Sequence, residues 1–334
     1  MNVSVIIATR DRPKEFRDAL ASIVNQSIGD LEIVVVNDGS ADHYLDEYKA
    51  VLAELAGGRR LIVEYLPHRK NGHGQSYALN VGVGLASGDY VCFLDDDDEW
   101  SDLDYLNRAM RNIERRNAAG RSLVDLYMSN QVACLHGVLQ PENMWLANLA
   151  GEVSSRGGSP ADDGTFDISV NDLMTTSGFC HINCLMVRRE LWQSTGGMDE
   201  GIRWECDHDI FLRLVDAAEL MIHDPKVISK HNIPDPKKSA SMTTSVSMLR
   251  KRLYQLNVCE KLALFAERAE IRSYARLLKG YTQKKISEEL AEADQFSKAL
   301  WYACQAMITL PSFKWMAYTT WLSVRFLFRR TLKV

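Results

Sequence analysis

Four short apolar runs recur through the first hundred residues: Val3 to Ala8, Leu31 to Val36, Leu61 to Leu66 and Tyr90 to Leu94. Segments of helical period separate them. After the first run Phe16, Ala19, Leu20, Ile23 and Val24 repeat at helical spacing, and further helices are predicted around Tyr44 to Leu55 and from about Gln75 to Ala86. A strand that is apolar throughout must be covered on both faces, and strands joined through helices run parallel. The chain therefore reads as an α/β protein with a mainly parallel sheet flanked by helices. In such sheets ligands bind beyond the carboxyl ends of the strands. Thr9 to Arg12, Asp38 and the run Asp95 to Asp98 all lie just past such ends, so three polar clusters far apart in sequence should converge on one crevice.

The run FLDDDDEW, Phe93 to Trp100, places four adjacent carboxylates at the end of a buried strand. Like charges repel, and burying them is costly without a cation or hydrogen-bond donors. On an extended chain Asp95 and Asp97 would face one way and Asp96 and Asp98 the other. Hard carboxylate oxygens suit Mg²⁺ or Mn²⁺, and a site with one or two carboxylates leaves positions for phosphate oxygens. A solvated acidic turn is the plainer alternative.

Asp38 follows the strand as part of Asn37-Asp38-Gly39-Ser40, which reads either as a turn and helix cap or as an acceptor for a base edge or ribose hydroxyl. Asn71-Gly72-His73-Gly74, preceded by Arg69 and Lys70, offers backbone amides and two cations for phosphate, although no P-loop motif follows. Further along, GGMDEGIRWECDHDIFLRLVDA gathers Glu205, Asp207 and Asp209 at the start of a helix. One of these carboxylates, facing the crevice, could deprotonate a hydroxyl; the others would cap the helix. His231, in SKHNIP, is a candidate for a metal or phosphate contact or a structural residue.

With 46% hydrophobic and 25% charged residues among 334, disordered and fibrous classes are excluded. The net charge of -5 gives no general attraction to nucleic acid. Seven scattered cysteines without CxxC spacing read as reduced thiols, and no secretory signal is evident, so a cytoplasmic setting is expected. The expected domains are 1–235, divided into two halves at about residue 100, and a helical region 236–334. The stretch Gly151 to Gly164 reads as a long loop, a lid or an unstructured insertion. The tail PSFKWMAYTTWLSVRFLFRRTLKV interleaves aromatic residues with Lys314, Arg325, Arg329, Arg330 and Lys333, which suits a helix at a membrane interface or one docked on a core.

The blocks VSVIIATRDR (Val3 to Arg12), EIVVVNDGS (Glu32 to Ser40), GQSYALNVGVGLASGDYVCFLDDDD (Gly74 to Asp98) and GGMDEGIRWECDHDIFLRL (Gly196 to Leu214) resemble, in this order, the family 2 inverting glycosyltransferases of GT-A fold, particularly bacterial enzymes building exopolysaccharides and surface glycans. The resemblance implies that Thr9, Arg12 and Asp38 surround the base and ribose of a nucleotide-sugar donor, with Asp96 near the ribose and Arg69 and Lys70 near phosphate. It implies that Asp95 and Asp97 form the DxD-type motif for Mn²⁺ or Mg²⁺, with Asp97 the better candidate for direct contact, and that Asp207 is the catalytic base. Residues 1–100 would then form the nucleotide-binding half and 101–235 the acceptor and catalytic-base half; His231 stays a metal candidate from its residue type alone. The implied donor is a UDP-sugar and the implied acceptor a saccharide or polyprenyl-linked saccharide. Two positions depart from the family pattern: Cys206 stands where a Glu is usual, with Glu205 a candidate to compensate, and Leu79 precedes Asn80 where many relatives have Arg. Competing readings are a non-catalytic nucleotide-sugar or divalent-ion binding module, a sugar nucleotidyltransferase lacking its Gly-rich loop, and a membrane-anchored structural protein.

Overall fold

The computed structural model describes residues 2–120, 122–176, 178–233 and 246–331. The chain divides into two compact units, 1–239 and 240–334. The domain boundary expected at 235 lies in a stretch, 234–245, outside the described residues.

The first unit is built on one mixed sheet. Strands β1 (Val3–Thr9), β2 (Leu31–Asn37), β3 (Arg60–Tyr65) and β4 (Tyr90–Phe93) form a parallel half, with β2 and β4 on either side of β1 and β3 outside β2. Their connections are α1 (Pro13–Val24), α2 (Asp42–Leu55) and α3 (Gln75–Leu85). Pro13 opens α1, where its missing N–H costs nothing, and the helix buries Phe16, Ala19, Leu20 and Ile23. Phe16 meets the ring of Tyr48 on α2 at 5.3 Å. Helix α3 lies so close to β1 that a Cβ on Gly82 would overlap the Ile6 side chain.

Beyond β4 the chain makes β5 (Glu99–Trp100), α4 (Tyr105–Ala119), β6 (Leu126–Leu135), β7 (Val138–Met144), α5 (Leu149–Ser155), β8 (Phe166–Ile168) and α6 (Val170–Thr175). A 3₁₀ turn at Ile182–Cys184 leads into β9 (Leu185–Arg188), followed by α7 (Arg189–Ser194), α8 (Cys206–Ala217) and β10 (Met221–Asn232). The sheet order is β3-β2-β1-β4-β9-β6-β10-β5, with β7 on β6 and β8 on β10. β10 runs parallel to β6, whereas β9 is antiparallel to both β4 and β6 and joins the two parallel halves. Strand polarity thus reverses twice beside β4, the strand that ends in the acidic run.

Two sequence expectations need correction. The stretch Gly151 to Gly164 is not a plain loop, because Gly151 to Ser155 complete α5, whose Leu149 and Val153 are buried. The acidic run is not extended: Asp98 N donates to Asp95 O at 3.1 Å, closing a turn. Its carboxylates therefore do not alternate between two faces.

The second unit is helical: α9 (Met248–Phe265), α10 (Ala269–Glu292), α11 (Phe296–Thr309) and α12 (Phe313–Thr331). Its core holds Ile286, Leu290, Phe296, Ala299, Ala303, Ala306, Trp315 and Leu322. The alanine row on α11 lets Ser287 of α10 reach Ala299 O at 2.8 Å, and Trp315 Nε1 donates to Ala303 O at 3.0 Å. Among the described residues no helix is long and apolar enough to cross a membrane. The side chains of Arg329 and Arg330, and Lys333 altogether, lie outside the described residues.

Candidate active site

The turn at Asp95–Asp98 is held from two sides. Asp96 and Asp97 share Arg12, whose Nη2 stands 2.7 Å from Asp96 Oδ1 and whose Nη1 stands 2.6 Å from Asp97 Oδ2. Asp95 and Asp98 share Asn183: its Oδ1 accepts from Asp95 N at 2.9 Å and its Nδ2 donates to Asp98 at 2.6 Å. Gln75, the first residue of α3, donates to Asp95 Oδ1 at 2.7 Å. The question posed by four adjacent charges therefore has a structural answer: one guanidinium and several amide donors hold them.

Asp98 is fully buried and committed to the scaffold. It accepts from Asn232 N at 2.6 Å and contacts His231 Nδ1 at 2.7 Å. Burial works most strongly against charge on His231, yet the bond to Asp98 together with the charges of Asp98, Asp97 and Asp207 outweighs it and raises the imidazole pKa above its usual value. Asp98 also sets the ring's orientation and leaves Nε2 as its other nitrogen. The rings of Trp145, His181 and His231 cluster, with His231 5.1 Å from each of the other two.

Thr9 is buried, and its hydroxyl bonds Tyr48 OH at 2.8 Å; the same phenol accepts from Arg12 N at 3.0 Å. Asp38, also buried, receives His73 N at 2.8 Å and Gly74 N at 2.9 Å, one on each oxygen. It thereby fixes the segment entering α3. Gly72 and Gly74 have φ of +65° and +108°, and a Cβ at Gly72 would collide with Asp38 and Arg10. Arg10 Nη2 donates to the carbonyls of Arg69 and Lys70 at 3.0 Å each, while those two residues are exposed. A Cβ on Gly74 would overlap the guanidinium of Arg203, so that cation lies against the N-terminus of α3. Leu79 is buried, and Asn80 clamps both N–H and C=O of Met198 at 2.9 Å.

Asp207 sits in the first turn of α8. The preceding Glu205 adopts φ of +68°, a left-handed conformation that costs a non-glycine residue on the order of 1 kcal/mol and turns the chain so that the helix begins at Cys206. Burial pushes Asp207 up to about 6; His231 and His208 pull it down and Glu205 raises it. Glu205 Oε2 lies 3.1 Å from His208 Nδ1, and Cys206 Sγ is 4.0 Å from Asp207 Oδ1. Burial likewise pushes Asp96 up to about 7 against the pull of Arg12, and raises Asp95, with Asp207 the next largest contributor.

His181 stands between the turn and α8. Its Nε2 is 3.9 Å from Asp95 Oδ2 and 3.7 Å from Asp207 Oδ2. Its Nδ1 accepts from Asn183 N at 3.3 Å, which assigns the proton of the neutral ring to Nε2. Burial lowers its pKa to about 3, so the ring is neutral.

Thr9, Arg12, Asp38, Asp95, Asp96, Asp97, Asp207 and His231 thus gather around the carboxyl ends of β1, β2 and β4 and the start of α8. Arg69 and Lys70 border this region through backbone contacts to Arg10. Sequence reasoning missed His181, Asn183, Gln75, Arg203 and the scaffold role of Asp98. The one available signal was the His-Ile-Asn-Cys stretch directly before the apolar β9.

Residues 4–131 match the family model for glycosyl transferase family 2. The chain carries a family 2 glycosyltransferase domain. Over 210 residues the chain is 29% identical to a PGL/p-HBAD biosynthesis glycosyltransferase of Mycobacterium bovis, covering 63% of this chain and 68% of that one. It is 35% identical over 121 residues to the amylovoran biosynthesis glycosyltransferase AmsB of Erwinia amylovora, 36% of this chain and 38% of that one. Among solved structures, S. aureus TarS residues 1–349 in complex with UDP-GlcNAc superimposes with a TM-score of 0.67 at 16% identity, covering 93% of this chain and 82% of that chain. The mannosyltransferase PcManGT of Pyrobaculum calidifontis, in complex with GDP-Man and Mn²⁺, gives a TM-score of 0.59 at 19% identity, covering 96% of this chain and 84% of that chain. At these identities the solved structures establish the fold alone, a GT-A architecture.

Proposed function

We propose that the chain is a cation-dependent inverting glycosyltransferase that moves a sugar from a nucleoside-diphosphate donor, a UDP-sugar, to a hydroxyl of a saccharide or lipid-linked saccharide. The observation that carries this reading is Asp207: a half-buried carboxylate whose pKa burial pushes up to about 6, set across from the Asp95–Asp98 turn with His181 between them. The UDP-GlcNAc bound by TarS and the GDP-Man bound by PcManGT support a nucleotide-sugar donor.

The residues present fit a hard divalent cation. Asp95 and Asp97 supply carboxylate oxygens and are both partly exposed, while burial and like-charge repulsion raise Asp95, the signature of a carboxylate short of positive charge. Among the described residues no three His, Cys, Asp or Glu side chains gather around one point, so Asp95 and Asp97 would not by themselves complete a cation's coordination. Asp97 and Asp95 would hold it, with His231 Nε2 near by. When bound, such a cation offsets charge developing on the leaving nucleoside diphosphate.

The chain's own residues do the rest. Asp38 and the 71–74 segment shape the nucleotide pocket with Thr9 and Arg12, and Arg203 at the start of α3 offers positive charge to the diphosphate together with the helix N-terminus. Asp207 accepts the proton of the acceptor hydroxyl as that oxygen attacks the anomeric carbon from the face opposite the leaving group. A carboxylate with a pKa near 6 is ionised at neutral pH yet basic enough for this task. Inversion follows from the single displacement.

Thermal unfolding of the full chain with UDP, GDP and their sugars, in Mn²⁺ or EDTA, tests the proposal. Saturation at about 100 times the dissociation constant stabilises by roughly 2.7 kcal/mol. A shift with uridine nucleotides that EDTA removes is expected; no shift with any nucleotide would overturn the donor assignment.

A further inference from the structure

The last helix is apolar on both sides. Its inner row, Trp315 and Leu322, is buried against the α10–α11 core. The opposite face exposes Phe313, Met316, Trp321, Val324, Leu327 and Phe328, with Phe313 at 88% exposure and Phe328 at 66%. Phe313, Trp321, Val324 and Phe328 follow one another at i, i+8, i+11 and i+15, so they form a single stripe rather than scattered residues. A surface helix normally turns polar groups outward, and an apolar patch of this kind marks a binding surface.

Charge identifies the occupant. From Phe296 to Val334 the chain has six Lys or Arg and no Asp or Glu. Lys314 borders the stripe, and Arg325 stacks over Trp321 at 4.9 Å from its ring centre. We propose that this face of α12 docks in the plane of an anionic lipid bilayer, with its aromatic residues at the headgroup level and its cations on lipid phosphates. Spanning is ruled out for the described helices by their length and polarity. A second copy of the chain fits less well, because a two-fold contact would bring the same cations face to face with no acid from this segment to answer them. The inference concerns the second unit alone and stands independently of the transfer reaction.

The test is flotation of the full chain with vesicles of phosphatidylcholine and phosphatidylglycerol in equal parts, beside vesicles of phosphatidylcholine alone, at moderate salt. Retention on the anionic vesicles is expected, at least tenfold above that on neutral ones. Phe313→Ser with Trp321→Ser should lower it at least tenfold, and Lys314→Glu severalfold with no change in melting temperature. Lys314→Glu keeps the test decisive if the double variant fails to fold. No retention on either vesicle, or equal retention on both, would overturn the assignment. So would light scattering that shows a dimer of the parent chain dissolved by either variant.

Discussion

The imidazole Nε2 of His181 lies 3.7 Å from Asp207 Oδ2, just beyond hydrogen-bond reach, with its other nitrogen already accepting from Asn183 N. A neutral ring held in this way keeps an N–H a small shift away from Asp207, and closing that gap during the reaction would favour the ionised carboxylate. His181→Asn keeps a side chain able to cap the 3₁₀ turn but withdraws the N–H. Turnover should fall about 10- to 100-fold, with the acid limb of the rate profile moving up by roughly half a pH unit. Donor affinity should hold within about twofold. Steady-state kinetics between pH 5 and 8 distinguish this from a merely structural loss, which would leave the limb in place.

Asp207→Asn should reduce transfer by about 10³-fold or more while leaving donor binding nearly intact. The same change should stabilise the protein. The folded-state pKa is raised from 3.8 to about 6, so ionising Asp207 weakens the fold: the cost is absent below about pH 4, grows as pH rises towards 6, and is complete above it. The variant should therefore exceed the parent by about 1–3 kcal/mol at pH 8 and match it near pH 4, as urea titration at the two pH values would reveal. Retained transfer would refute the base assignment.

Arg12 is the one guanidinium shared by Asp96 and Asp97. Replacing it with Met leaves the buried Asp96 carboxylate without its cation, which should cost about 2–4 kcal/mol at pH 8. Asp96 titrates near 7 even with Arg12 present, so the loss should shrink as pH falls below that value and the carboxylate becomes neutral. A cost independent of pH would show that packing, not charge, is what Arg12 supplies.

Asp97→Ala should abolish the Mn²⁺-dependent part of nucleotide stabilisation. Any part insensitive to EDTA should remain. Calorimetry with UDP in the presence and absence of Mn²⁺ separates the two, and unchanged cation dependence would remove Asp97 from the proposed site.

Gly72→Ala places a methyl group against Asp38 and Arg10 at a backbone φ of +65°. Strain and displacement of the 71–74 segment should together cost about 1–3 kcal/mol and weaken nucleotide binding more than a change at an exposed glycine such as Gly84. Parallel melting and binding curves for the two variants make the comparison.

The parallel half of the sheet was legible because its strands are apolar on both faces and its helices repeat at 3.6 residues; these are local signals, and β1 to β4 with α1 to α3 lie close to where they point. The convergence of Thr9, Asp38 and the acidic run followed from the same pattern, since successive parallel strands end at one edge. What local pattern could not determine is how the acidic run is folded. Four identical residues carry no periodicity, and it is the Asp98–Asp95 backbone bond, Asn183 from a segment more than eighty residues away, and Arg12 that decide the arrangement: Asp96 and Asp97 share a guanidinium, while Asn183 holds the Asp95 N–H and the Asp98 carboxylate. His181 was invisible for the same reason. Its meaning is a distance to Asp207 and Asp95, and that distance exists only once β9 lies beside β4 and α8 begins next to it. Residue type and spacing set which elements form and where polar groups cluster; electrostatic pairing across elements is a property of three-dimensional proximity, and the tertiary structure alone supplies it.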